Sequence, residues 1–285
     1  MDKKQKKTML IIFGVIAVIL LVGIFATAGN AGEEEDIQTL MRDAVLHDVN
    51  KVNFFGLEIN PGLAAGFLVT AILTVAAIII RIFVIPKFTL VPGKFQSVLE
   101  LLVGYFDNLS KTNSPHLNKL MGGYIFAAGV YIFTGTMLEL FGIQVVTTHG
   151  GSVSMPAPLS DINGAIMMGC TSYLFILTGG IAAHGFKGVM KTLKEFSLPI
   201  SMSFRLFGAL LSGALVTELV YYYTALSYVV PVIVGVLFTC LHALIQAYVL
   251  TMLVSLFYGE VSEPDAPKVK RTKVPKTKKA KELTA

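Results

Sequence analysis

Six long apolar blocks, nearly free of charge, constrain this chain of 285 residues more than anything else in it. They run Met9–Ala28, Gly62–Pro86, Met121–Ile143, Ile162–Ala183, Phe196–Val229 and Val230–Tyr258. About 20 apolar residues in a helix cross the hydrocarbon core of a bilayer, so each block reads as a span. The fifth and sixth are longer, which implies tilt or an interfacial end. Charged residues make up 14% of the chain, against about 25% in soluble domains, so a soluble core is not expected. The expected fold class is all-α: a polytopic membrane helix bundle of about six spans, counting an N-terminal anchor or signal, with two long tilted C-terminal helices. The chain divides into an N-terminal anchor or signal (1–29), an external acidic segment (30–61), a membrane helical domain (62–258) and a basic cytoplasmic tail (259–285).

Orientation follows from the basic residues. With the N-terminus in the cytoplasm, nineteen of the 23 lysines and arginines fall within Lys3–Lys7, Lys87–Lys119, Lys187–Lys194 and Lys268–Lys281, all on cytoplasmic segments. Only Arg42 and Lys51 lie outside, Arg81 and Arg205 lie within spans, and Gln144–Asp161 has neither Lys nor Arg. The positive-inside rule therefore sets both termini in the cytoplasm of a multi-pass plasma (inner) membrane protein, if the first span is retained. Lys3–Lys7, the apolar run and Ala26-Thr27-Ala28 also resemble a cleavable signal, but the run is long for one and reads as an uncleaved anchor. Between the second and third blocks, Phe95, Val98, Leu101, Leu102 and Tyr105 recur at helical spacing within Val91–Leu120. That stretch is expected as an amphipathic helix on the cytoplasmic surface or packed on the bundle.

Common catalytic signatures are absent: there is no GxGxxG, Walker loop, GxSxG or HExxH. Cys170 and Cys240 sit in apolar blocks without a CxxC or Cys/His pattern and read as small buried thiols. His47, His116, His149, His184 and His242 lack metal-ligand spacing, so no metal or other cofactor is expected, and no nucleic-acid partner.

The chemistry centres on Arg205. An arginine at a helix centre costs about 2.5–3.5 kcal/mol to insert, so it faces protein or water. One account is a salt bridge inside the bundle. Against it, Glu218 is 13 residues further on, about 20 Å along the axis. Glu139 lies near the outer end of its span and Glu195 at a cytoplasmic end. The counter-charge is therefore expected on another subunit or in a water-filled cleft. Gly208-xxx-Ser212 and Ala209-xxx-Gly213 are small-xxx-small patterns suited to packing within the bundle or against a partner. On the sixth block Thr239, His242 and Gln246 share a stripe, either as satisfied core residues or as a hydrated path that accepts protons.

Ser203-Phe204-Arg205-Leu206-Phe207-Gly208, followed on the next block by Leu244-Ile245-Gln246-Ala247-Tyr248-Val249, resembles the F-type ATP synthase subunit a family. Pro92-Gly93-Lys94-Phe95-Gln96-Ser97-Val98-Leu99-Glu100, Met137-Leu138-Glu139-Leu140 and Ser160-Asp161-Ile162-Asn163 add weaker support, and the likeness spans roughly residues 60 to 258. It implies a non-catalytic stator subunit of a rotary ATP synthase that carries ions, expected to be protons, with nucleotide chemistry on other subunits. The implied partners are a ring of small proteolipid subunits, each with a membrane carboxylate, a peripheral-stalk subunit and the lipid bilayer. Arg205 would face the ring between two offset half-channels, prevent short-circuiting and keep the passing carboxylate ionised. Gln246 would orient it.

Three positions depart from the family pattern: Ala209 stands where Asn is usual, Ala214 where the half-channel glutamate falls, and Thr239 where its ionisable partner falls. Glu218 and His242, about one turn away on similar faces, are expected to replace that pair. The candidate set is therefore Arg205, Gln246, Glu218 and His242 for ion translocation, with Glu139, Asp161, Asn163, Ser212 and Thr239 as half-channel groups. Gly208, Ala209 and Gly213 are the close-packing positions. A self-contained transporter would instead show an internal repeat or paired broken helices, and a membrane-embedded enzyme a His/Asp/Glu cluster; the sequence shows neither.

Overall fold

The computed structural model describes residues 18, 51–54, 56–115, 118–148, 152–222 and 230–264. Apart from residue 18, the first apolar block and the acidic stretch lie outside these residues, as does the tail beyond residue 264. Among the described residues there are seven helices of eight residues or more: α1 (Pro61–Ile79), α2 (Lys94–Asn113), α3 (Asn118–Glu139), α4 (Ile162–His184), α5 (Phe186–Leu193), α6 (Ser197–Tyr222) and α7 (Val230–Ser262). Among the described residues, four helices are long and apolar enough to cross a membrane, or five when the bent pair α5–α6 counts as one.

Helix boundaries follow local chemistry. Asn60 accepts a hydrogen bond from Gly62 N and Pro61 opens α1, where its missing N–H is not needed. At the far end α1 loosens into a π turn, Ile80–Val84, and a short 3-10 turn ending at Lys87, where Pro86 removes a donor. Asp161 caps α4 by accepting from Asn163 N. Gly185 ends α4 with φ +59, a conformation that costs a residue with a side chain.

The fifth apolar block forms α6, starting one residue after Phe196, and the short helix α5 precedes it across a bend of 50° between Leu193 and Ser197. Pro199 has no N–H to donate to the carbonyl of Glu195, so the helix cannot run through. Lys187, Lys191 and Lys194, expected in a loop, therefore lie on α5 or at its end. The sixth block runs past Tyr258 to Ser262. The amphipathic stretch is narrower than expected, Lys94–Asn113, and packs on α3 and α7.

Two antiparallel hairpins were not anticipated: Val52–Phe54 with Leu57–Ile59 (β1, β2) and Gln144–Val146 with Ser152–Ser154 (β3, β4). A bridge between Val52 and Thr147 joins them. They sit where α1 and α4 begin and α3 ends, defining a hairpin end opposite the tail end where α7 finishes.

The core lies between α3, α4, α6 and α7, with Met121, Ile125, Ile132, Ile176, Met202, Leu206 and Val254 fully or almost fully buried. Tyr124, Phe175 and Tyr258 stack through it, with ring centroids 4.1 and 5.0 Å apart. α5 approaches α4 through Gly188 and Gly180; a Cβ on Gly188 would fall on the Gly180 carbonyl. By contrast, α1 is buried within the protein only near its start, at Pro61, Gly62, Ala64, Ala65 and Val69.

Candidate functional site around Arg205

Arg205 sits on the exposed side of α6. Met202, Leu206 and Leu210 turn into the core, whereas Ser197, Ser201, Arg205, Gly208 and Ser212 are exposed at spacings of three and four residues. Among the described residues Arg205 enters no hydrogen bond and no ion pair; the ion pair there is Lys111 with Asp107 on α2. α6 is unbroken from Ser197 to Tyr222, so the separation from Glu218 stands at about 20 Å along the axis. The Glu218 side chain itself lies outside what the structure describes.

α6 and α7 run antiparallel. At one end Gly213 faces His242, with the position of a Gly213 Cβ 3.2 Å from His242 Nδ1. At the other, Lys191, just before α6, donates to the carbonyl of Glu260. This register puts Gln246 about level with Ala209, one helical turn from Arg205. Gln246 points inward and is 5% exposed, and no hydrogen bond joins it to Arg205. His242 and Thr239 are half-buried on the same side of α7. Leu241, Leu244 and Tyr248 form an exposed row on its other side.

The close-packing positions divide. Ala209 is half-buried and Gly213 packs on His242, but a Cβ on Gly208 would meet nothing within 4 Å. Gly208, read as a close-packing position, therefore does not pack inside this chain, and Ser212 is exposed beside it. The pattern of small residues could not reveal this, because Gly208 and Ala209 differ by 100° around the helix.

Gly169, seven residues into α4, packs against Ser203, so Arg205 lies only about 10 Å along α4 from the hairpin end. Glu139, the last residue of α3, is half-buried at that same end, with Asp161 and Asn163 where α4 starts. Asp161 has a structural task as the cap. Ser197 and Ser201 escaped the sequence reading; their spacing of four from Arg205 was the available signal. The two cysteines are corrected as well: Cys170 is exposed and Cys240 half-exposed. Apolar residues of a membrane span can face lipid, so an apolar block does not imply burial in protein. Cys170 lines a wholly apolar groove of about 270 Å³ between α4 and α6, with Ile166, Pro199 and Phe204. Among the described residues no His, Cys, Asp or Glu cluster could hold a metal.

A protein-family model described as ATP synthase A chain matches residues 67–259, more than half the chain and all of the Arg205 region. Among curated proteins the chain is similar to "ATP synthase subunit a" of Cereibacter sphaeroides (strain ATCC 17025 / ATH 2.4.3), 26% identical over 200 residues, covering 66% of this chain and 76% of that one. The protein of the same name from strain ATCC 17029 / ATH 2.4.9 matches to the same extent. With its apolar spans and its exposed arginine, the chain belongs to the ATP synthase A chain family, the membrane-embedded, ion-translocating stator part of that machine and not its catalytic part.

Proposed function

We propose that this chain forms the ion path beside a rotating ring of small carboxylate-bearing subunits, with Arg205 as the fixed charge that each carboxylate passes. The observation that carries this is an arginine exposed on an apolar helix without a partner among the described residues. A cation there is stable only with an anion from outside the chain, or with water. As a carboxylate arrives, Arg205 favours its ionised form and so releases the ion it carried, which is expected to be a proton.

Two routes meet at Arg205 in this reading. From the hairpin end, Glu139, Asp161, Asn163, His242, Thr239 and Glu218 are the groups that would admit ions. From the tail end, Ser197 and Ser201 lead along the exposed stripe of α6 to Arg205, and Ser212 continues it beyond. Lys191, bonded to Glu260, and Lys111, two residues before the Asn113 that meets Ser255, lie by the tail end, which supports a cytoplasmic assignment of that end and of both termini. A peripheral-stalk subunit and lipid would cover the remaining apolar faces. The domain division at residues 30, 62 and 259 is retained, with α7 continued to Ser262.

A self-contained transporter shares one feature, the bent span α5–α6, but it expects a second broken helix in the other half, and among the described residues α5–α6 is the one bent pair. The test is to purify the assembled complex, place it in vesicles and follow ATP-driven acidification. Arg205→Ala should abolish pumping while the complex stays assembled. Full pumping by that variant, or purification without a ring-forming proteolipid, would overturn the proposal.

A further inference from the structure

We infer that Lys191 and His184 are positioning residues for ion translocation, clamping the tail end of α7 and thereby setting its register against α6. The last carbonyls of a helix have no intrahelical donor and carry the negative pole of its dipole. In α7 these groups are met by side chains from the α4–α5 corner. Lys191 Nζ donates to the carbonyl of Glu260 at 2.6 Å, and His184 Nε2 lies 2.8 Å from that of Glu263. A carbonyl can only accept, so His184 carries its proton on Nε2.

The grip is two-sided. From α2, Asn113 Nδ2 donates to Ser255 Oγ at 2.6 Å, and Ser114 and Ser262 hydroxyls lie 3.2 Å apart. Gly259 passes directly over the Asn113 carbonyl, where no side chain would fit. Tyr258 and Val261 seat on Gly179 and Gly180 of α4. Buried positions crowd the second half of α7, from Leu250 to Ser262, whereas Ala243 and Gln246 are the buried side chains described before it, so holding is concentrated toward the tail end. Gln246 is 14 residues from Glu260, about 21 Å along a rigid helix. A rod fixed at one end carries any axial slip there undiminished to Gln246 and His242. The corner itself depends on Gly185 and on the Gly180–Gly188 contact, which bring α5 within reach of α7.

This inference rests on the proposed ion path, so its test has two readouts. The first is disulfide formation between cysteines at Gly213 and His242, in the assembled complex with Cys170 and Cys240 replaced by Ala; it reports register without reference to pumping. The second is ATP-driven acidification in the otherwise native complex. Lys191→Met and His184→Leu together should lower cross-linking at least threefold and pumping at least threefold. Lys191→Arg and His184→Gln, which keep a donor at each place, should retain both within twofold. Unchanged cross-linking in Lys191→Met/His184→Leu, whatever the pumping, overturns the clamp. Reduced cross-linking with unchanged pumping overturns its functional role. Loss of both in the donor-keeping variants also overturns it, because donation would then not be what matters. If Arg205→Ala pumps normally, the ion-path reading fails while the cross-linking readout still judges the clamp.

Discussion

The two halves of α7 have similar composition and opposite surroundings. From Ser255 to Glu263 the helix is bonded to α2 on one side and to the α4–α5 corner on the other. From Val232 to Tyr248 its row of Val232, Leu237, Leu241, Leu244 and Tyr248 is exposed, and Gly213 with His242 is a contact that locates it on α6. Polar side chains account for the difference. The anchored half has Asn113, Ser114, Lys191 and His184 within reach, whereas the open half meets mainly apolar and small groups. Directional bonds fix a position; apolar contact alone allows a partner surface to slide past.

The largest expected effect is on the open side. Arg205→Ala should reduce ATP-driven pumping by at least tenfold in assembled complex, and Arg205→Lys should recover little of it, since a point charge does not reproduce the planar fork. The next tests the anchored side. Gly188→Val places a Cβ on the Gly180 carbonyl, and should destabilise the bundle by about 1–3 kcal/mol or more, read as a lower unfolding midpoint in detergent. Third, a cysteine at Ser201 should react with a water-soluble maleimide at least tenfold faster than one at Thr251, which is 1% exposed on α7 just before the anchored half. Equal rates would remove the proposed route along α6. The smallest effect sorts the two readings of Asp161. As a cap, Asp161→Ala costs about 0.5–2 kcal/mol of stability and leaves pumping within twofold; a larger loss of pumping with unchanged stability would make it a half-channel group.

Much of this fold was legible because a bilayer imposes simple lengths. Long charge-free blocks announced α1, α3, α4 and α7, and the amphipathic period announced α2. The short helix α5 and the bend ahead of α6 were missed because Pro199 sits just inside the start of the fifth block, where a proline is tolerated at a helix beginning. The lysines ahead of it read as loop for the same reason. The hairpins were missed because their strands are three residues long, too short for alternation to register. At the site, Arg205 was found by its cost in lipid, while Ser197 and Ser201 are ordinary serines until the exposed face of α6 is known.

What the sequence determined by itself was the solvent and the anomaly: spans that require a bilayer, and in the fifth of them Arg205, whose nearest acid on its own helix is about 20 Å away. Which way that arginine faces was decided only by the tertiary structure. Helical periodicity assigns residues to common faces, but packing selects the face that is buried. Met202, Leu206 and Leu210 took the core, so Arg205, Gly208 and Ser212 were left outward. The same holds for Lys191 and His184: no local pattern ties either to α7, and the turn at Gly185 brings both to its end. Contacts between residues 69 and 79 positions apart in sequence are made by chain geometry, and no local pattern encodes them.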